Sequence, residues 1–147
     1  MKVGHILDSA RQRLAVLSWD APVISAALIL ANPDTPLVVV CDSTGAAIGV
    51  ISRIDLVRQF TSGSEAAFAA NAGAVMTQPV FACHEDDPLD RVWDHLKARK
   101  LKCAPVLDEH RRPSGVIHAR EIVRALLDEV TYEELLLRDY VLGIGYR

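Results

Sequence analysis

The chain has 147 residues, half of them apolar and 24% charged, with a formal net charge of −3, a composition that sustains a core and excludes disorder. Acidic and basic residues are interspersed without the basic stripe that a phosphate backbone demands, so no nucleic-acid partner is expected. No apolar run approaches the roughly 18 residues of a membrane span, and the opening MKVGHILDSARQRL lacks the apolar centre of a signal peptide, so a cytoplasmic protein with no membrane contact is expected.

The first predicted element is a short strand-like segment, Gly4-His5-Ile6-Leu7. A helix is predicted from Pro22, which follows the acidic Asp20, with apolar residues Val23, Ala26, Ala27 and Leu30 spaced as one buried stripe. Pro33 ends it. The run Pro36–Cys41 is β-branched and apolar on both faces, as a buried strand is. Ser43-Thr44-Gly45 then turns the chain into a second strand, Ile48–Ile51, which leads into a helix at Ser52.

After a Gly- and Ala-rich stretch from Thr61 to Ala74, the same order returns. A strand-like Gly73-Ala74-Val75-Met76 precedes a helix from Pro88 with the stripe Leu89, Val92, Trp93 and Leu96. The strand Cys103–Leu107, a turn at Arg111-Arg112-Pro113 and a further strand lead to a helix at His118. That helix meets no glycine or proline before Gly143. Its apolar residues, among them Val130, Leu135, Leu137, Tyr140, Val141 and Ile144, exceed what a solvated tail carries, so part of it is expected to pack on the core or on a second subunit.

The repetition is exact in register. At an offset of 66, residues 16–58 align with 82–124 without a gap and agree at ten of 43 positions, including Asp42 with Asp108 and Gly49-Val50-Ile51 with Gly115-Val116-Ile117. Composition alone gives about three matches. The chain is therefore two copies of a β-α-β-β-α unit, divided as 1–60, a linker over 61–71, 72–130, and a helical extension over 131–147. A unit of about 60 residues cannot close a full core alone, so the copies are expected to pack together with a ligand cleft between them.

Catalysis has little support in the residues. Cys41, Cys83 and Cys103 have no paired short spacing and read as reduced, buried thiols. His84, His95, His110 and His118 form no metal-ligand pattern with them, and neighbouring Cys83 and His84 on a strand point to opposite faces. Neither an enzyme nor a metal site is expected.

The segment Val75-Met76-Thr77-Gln78-Pro79-Val80, the strand Ala104-Pro105-Val106-Leu107-Asp108 and above all Gly49-Val50-Ile51-Ser52-Arg53-Ile54-Asp55 resemble a tandem pair of cystathionine-β-synthase-type (CBS) domains over essentially the whole chain. The ending Leu137-Arg138-Asp139-Tyr140-Val141 is similar to that of small bacterial proteins made of such a pair alone. The resemblance implies an α/β fold of two pseudo-symmetric repeats with a long C-terminal helix. It also implies a regulatory module that binds an adenosine-containing ligand, is not an enzyme, forms a homodimer and signals to an effector protein that the sequence does not identify. AMP, ADP, ATP, NAD and S-adenosylmethionine are the ligands it implies, none of them a required cofactor. The alternative is a dimerisation scaffold whose nucleotide sites have decayed.

On that resemblance, Asp55 accepts hydrogen bonds from two ribose hydroxyls while Ser52 and the amides of its helix hold a phosphate, with Arg53 adding charge. The main chain of Leu37, Val38 and Val39 reads the adenine edge, and Ile6 and Leu7 close over its faces. The spacing of Ser52 and Asp55 is also that of a helix cap, and one residue can serve in both ways. The second copy has His118 and Glu121 at the matching positions. The extra methylene of Glu121 moves its oxygens by about 1.5 Å, so a second site built from His118, Glu121, Ala104, Pro105 and Thr77 is expected to be weaker. Arg120 either reaches across to phosphates at the first copy or is a plain surface arginine.

Overall fold

The computed structural model describes residues 1–78 and 80–146. Pro79, inside the segment quoted above, lies outside the described residues, as do the side chain of Ile144 and the terminal Arg147. A 3₁₀ turn, Val3–Ile6, opens the chain, followed by α1 (Leu7–Gln12), β1 (Val16–Ser18), α2 (Val23–Leu30), β2 (Val38–Cys41), β3 (Ala47–Ile51) and α3 (Arg53–Phe60). Two short helices, α4 (Ala66–Ala69) and α5 (Ala72–Val75), precede α6 (Leu89–Arg99), β4 (Cys103–Leu107), β5 (Pro113–His118) and α7 (Ala119–Tyr146).

The duplication is visible in the hydrogen-bond register. β1 runs parallel to β2 with Leu17 opposite Val40, and Cys83 makes the matching parallel bridge to Val106. Both hairpins pair their strands antiparallel and carry a register shift at equivalent points, between Val40 and Cys41 and between Val106 and Leu107. The aspartates at the strand ends hold the turns: Asp42 Oδ1 accepts from the N–H groups of Thr44 and Ala46, and Asp108 Oδ1 from those of His110 and Arg112. Gly45 has a φ of +87° and its counterpart Arg111 a φ of +63°, so only the first copy has the residue that reaches this conformation without strain.

The two opening segments are helical, not strand-like, and each packs on the opposite repeat. Val3 N–H donates to Asp87 O and Gly4 N–H to Glu85 O, while Ala72 N–H donates to Ala21 O and Gly73 N–H to Trp19 O. Extended pairing is limited to one bridge at each opening, Lys2 with Pro88 and Pro22 with Asn71. Beyond that bridge the chain must turn its apolar side chains into the neighbouring core, and a short helix does this. Val3, Leu7 and Ala10 are buried among Leu89, Val92, Leu96, Ile117 and Ile122 of the second repeat. Ala72 is buried among Val23, Leu30, Val38 and Ile51 of the first, with Val75 and Met76 packed at its side.

A third apolar layer joins the repeats. In β2, Val38 and Val40 face the first-repeat core, while Val39 and Cys41 face Leu107 and Val116 across the interface. This two-sided burial is why the strand is apolar at every position. The helices predicted at Pro22 and Pro88 begin one residue later, with each proline at the N-cap and neither aspartate capping. Asp20 instead accepts from the Ser18 hydroxyl, and Asp87 from His84 N–H. α7 continues past Gly143 to Tyr146; its start packs on the core through Ile122, Ala125 and Leu126, whereas 131–141 are exposed. No helix among the described residues is long and apolar enough to cross a membrane.

Candidate functional site

β3 leads into α3 and β5 into α7, so Ser52 and His118 reach the same region between the repeats. A single cleft of about 1270 Å³ lies there, lined by Ser52, Arg53, Asp55 and Leu37 from the first repeat and by Pro105, His118 and Arg120 from the second. Residues of both expected sites, Ser52 and Asp55 of the first and His118 and Pro105 of the second, thus line one cleft.

In the first copy Ser52 and Asp55 form a reciprocal capping box. Asp55 Oδ2 accepts from Ser52 N–H at 2.8 Å and from the Ser52 hydroxyl at 3.1 Å, and Asp55 N–H points at Ser52 Oγ. The Thr77 hydroxyl donates to Asp55 Oδ1 at 2.9 Å. Thr77, expected at the weaker second site, thus lies beside Asp55 of the first copy, because the segment after α5 crosses to that repeat and Thr77 pairs with Val50. Arg53 donates through Nη2 to Asn32 O and Thr35 O, both at 2.8 Å, which ties α3 to the loop before β2.

The second copy caps its helix with different chemistry. Arg120 N–H donates to His118 Nδ1 at 3.0 Å, so the imidazole ring takes the part of the serine hydroxyl. Glu121 Oε1 accepts from His118 N–H at 3.3 Å and from Arg13 at the end of α1, with which it forms an ion pair. Desolvation pushes the His118 pKa below its usual value, and the charges of Arg120 and Arg13 push it the same way. Burial raises the Cys103 thiol, an effect opposed by the positive charges of Lys102, Arg13 and Arg53.

Of the remaining expected site residues, Leu37 and Pro105 line the cleft and the others do not. Ile6 packs against the second-repeat core and Leu7 is buried in it, and neither lines the cleft. Val38 and Val39 are fully buried, and Val39 N–H is committed to Ala15 O; Leu37 alone of that trio lines the cleft. Ala104 is buried in β4. Glu121 stands behind the wall, beside Arg13.

Residues 72–128 match the family model described as CBS domain. The chain as a whole has the fold of CBS domain pairs. It is similar to a CBS domain pair solved in complex with 5′-methylthioadenosine and S-adenosyl-L-methionine, with a TM-score of 0.73 and 22% identity, covering 88% of this chain and 98% of that one. It is equally similar to CBSX2 solved in complex with AMP, at a TM-score of 0.73 and 23% identity over 86% and 96% of the two chains. Among curated proteins, the L-aspartate semialdehyde sulfurtransferase of Methanocaldococcus jannaschii is 26% identical over 102 residues, which are 69% of this chain and 19% of that protein. The chain thus spans about a fifth of the length of that relative.

Sequence reasoning about the CBS motifs missed several lining residues: Arg13, Arg99, Lys100 and Lys102. Arg13 precedes the aligned repeat and carries no motif, so only the packing of α1 on the second CBS repeat brings it to the cleft. Lys100 ends α6 with a φ of 56°, a left-handed cap made by a residue other than glycine. Arg99 lies with its guanidinium 4.4 Å from the ring centre of Phe81, another residue of the wall.

Proposed function

We propose that this CBS pair is a regulatory module that binds an adenosine-containing ligand in the cleft between its repeats, and not an enzyme. The observation that carries the reading is Asp55, a carboxylate on the cleft wall that holds its own helix cap through one oxygen and a replaceable threonine hydroxyl through the other. A carboxylate offers about four lone-pair positions, so ribose hydroxyls can take the place of Thr77 without dismantling the cap. Leu37, Pro36 and Val50 supply apolar wall beside it for a purine face. CBS pairs of the same fold bind 5′-methylthioadenosine, S-adenosyl-L-methionine and AMP, which supports this ligand class. AMP, ADP, ATP, NAD and S-adenosylmethionine are the candidates.

Mass spectrometry of small molecules released from the purified protein identifies the ligand. A thermal-shift panel should register it, because a ligand at 100 times its Kd adds about 2.7 kcal/mol of stability. Asp55→Ala should weaken binding at least about tenfold, since a hydrogen bond to a charged acceptor is worth about 1.5–3 kcal/mol. Glu121→Ala should weaken it much less. Equal losses in calorimetry would sink the specialised role of Asp55.

The signalling form in this proposal is a homodimer. Ile24 and Leu28 of α2 and Ile54 and Val57 of α3 are exposed together, an apolar face that one chain leaves uncovered. α7 is the output element: it starts at Ala119, carries the cleft residue Arg120 in its first turn and extends about 42 Å at 1.5 Å per residue, so rotation at its base is carried to its far end, where an effector protein can read it.

A further inference from the structure

The two ends of the cleft differ in charge. Around Ser52 the wall carries Asp34, Asp55 and one cation, Arg53, whose guanidinium already bonds two carbonyl oxygens. Beside His118 the wall carries Arg13, Lys102 and Arg120, the second repeat adds Arg99 and Lys100 to the lining, and among the described residues no second-repeat carboxylate lines the cleft. The one acid nearby is Glu121, the positional match of Asp55, and it is turned to Arg13 and the His118 N–H. The acceptor that a second ribose would need is therefore occupied by a cation of the same chain. Lys102 and Arg120 are exposed and hold no ion pair among the described residues, so their charges are available to a ligand.

We propose that the second-repeat end of the cleft is an anion subsite, so that the chain takes one nucleoside polyphosphate lengthwise, its ribose at Asp55 and its phosphates at Lys102 and Arg120, in place of two nucleosides side by side. The nucleoside half of this statement rests on the function proposed above, and the anion half does not. The Arg13–Glu121 pair serves as the selectivity element: it blocks ribose at the second motif and leaves the surrounding cations in excess. A volume of about 1270 Å³ exceeds what a single adenosine fills, which leaves room for an extended tail. Cations gathered on one wall of a cleft focus the field on a polyanion more strongly than the same charges spread over a surface. Desolvation and then the charges of Arg120, Arg13 and Lys102 lower the His118 pKa against the opposing charge of Glu121, in keeping with cations gathered at this end.

The test is calorimetry on the full chain with AMP, ATP and inorganic tripolyphosphate, for the wild type and for the double variant Lys102→Ala/Arg120→Ala. Both side chains are exposed, so an unchanged melting temperature verifies the fold of the variant. The expected results are one ATP per chain, ATP binding at least about tenfold tighter than AMP, and tripolyphosphate binding that competes with ATP. In the variant the ratio of ATP to AMP affinity should fall to within about twofold, and tripolyphosphate binding should vanish. Two nucleotides per chain, a ratio near one in the wild type, or a ratio unchanged by the double substitution overturns the proposal. Tripolyphosphate binding that depends on Lys102 and Arg120 without any adenosine compound binding would keep the anion subsite and remove the nucleoside reading. Absence of both would remove both.

Discussion

Gly115 of β5 lies against Ala10 of α1 so closely that a Cβ on the glycine would sit 2.8 Å from the alanine carbonyl carbon. Its counterpart Gly49 stands in the same relation to Met76, whose Sδ would be 2.4 Å from the added carbon. The glycines matched in sequence are thus the points where each exchanged segment crosses the sheet of the other repeat. Gly115→Ala meets the Ala10 backbone and must move it, whereas Gly49→Ala meets Met76 from Sδ to Cβ, a clash that rotation of that side chain relieves in part. Overpacking of this kind costs about 1–3 kcal/mol, and urea denaturation should place Gly115→Ala at or above the upper end and Gly49→Ala below it. The reverse order would show that α1 yields more easily than Met76.

The exchange also makes residues 1–12 part of the second repeat's core. Leu7 is buried among second-repeat side chains, so Leu7→Ala should lose about 2–5 kcal/mol, as a core leucine does. A loss under about 1 kcal/mol, typical of a surface site, would mean that the opening segment is only loosely applied to Leu89 and Ile117.

His118 should titrate below its usual value of about 6.5, since desolvation and the facing Arg120, Arg13 and Lys102 disfavour the imidazolium, with Glu121 acting in the opposite sense. Because the folded pKa is the lower one, the stability linked to this group is present above the unfolded pKa and lost as the pH falls through the folded value. Protonation also removes the Nδ1 acceptor for Arg120 N–H. Nitrogen-detected NMR titration gives the midpoint directly, and a value at or above 6.5 contradicts the assignment. Bound phosphate should raise it.

A homodimer through α2 and α3 should be visible in sedimentation at micromolar concentration. Leu28 is 73% exposed, and the residue that matches it in the second repeat is Asp94, so α6 does not repeat this feature of the α2 face. Leu28→Asp should give a monomer without altering the melting cooperativity of the fold. Sedimentation of the wild type as a monomer alone would reject this face as an interface.

Much of the architecture was legible in the residues. Period and punctuation determine local structure, so the helices after Pro22 and Pro88, the β2–β3 and β4–β5 hairpins and the long last helix all lie close to their expected places. The CBS pattern at Gly49–Asp55 likewise announced the repeat and its cleft. Local patterning could not show which repeat each opening segment joins, because Gly4–Leu7 and Gly73–Met76 carry the same apolar content whether they pack on their own copy or on the other. Only the close approach of Ala10 to Gly115 and of Met76 to Gly49 decided that. The reassignment of Thr77 to Asp55, the pairing of Arg13 with Glu121 and the charge difference between the ends of the cleft all follow from it. Residues distant in sequence become chemical neighbours through packing, and no spacing rule along the chain encodes the free energy of that packing.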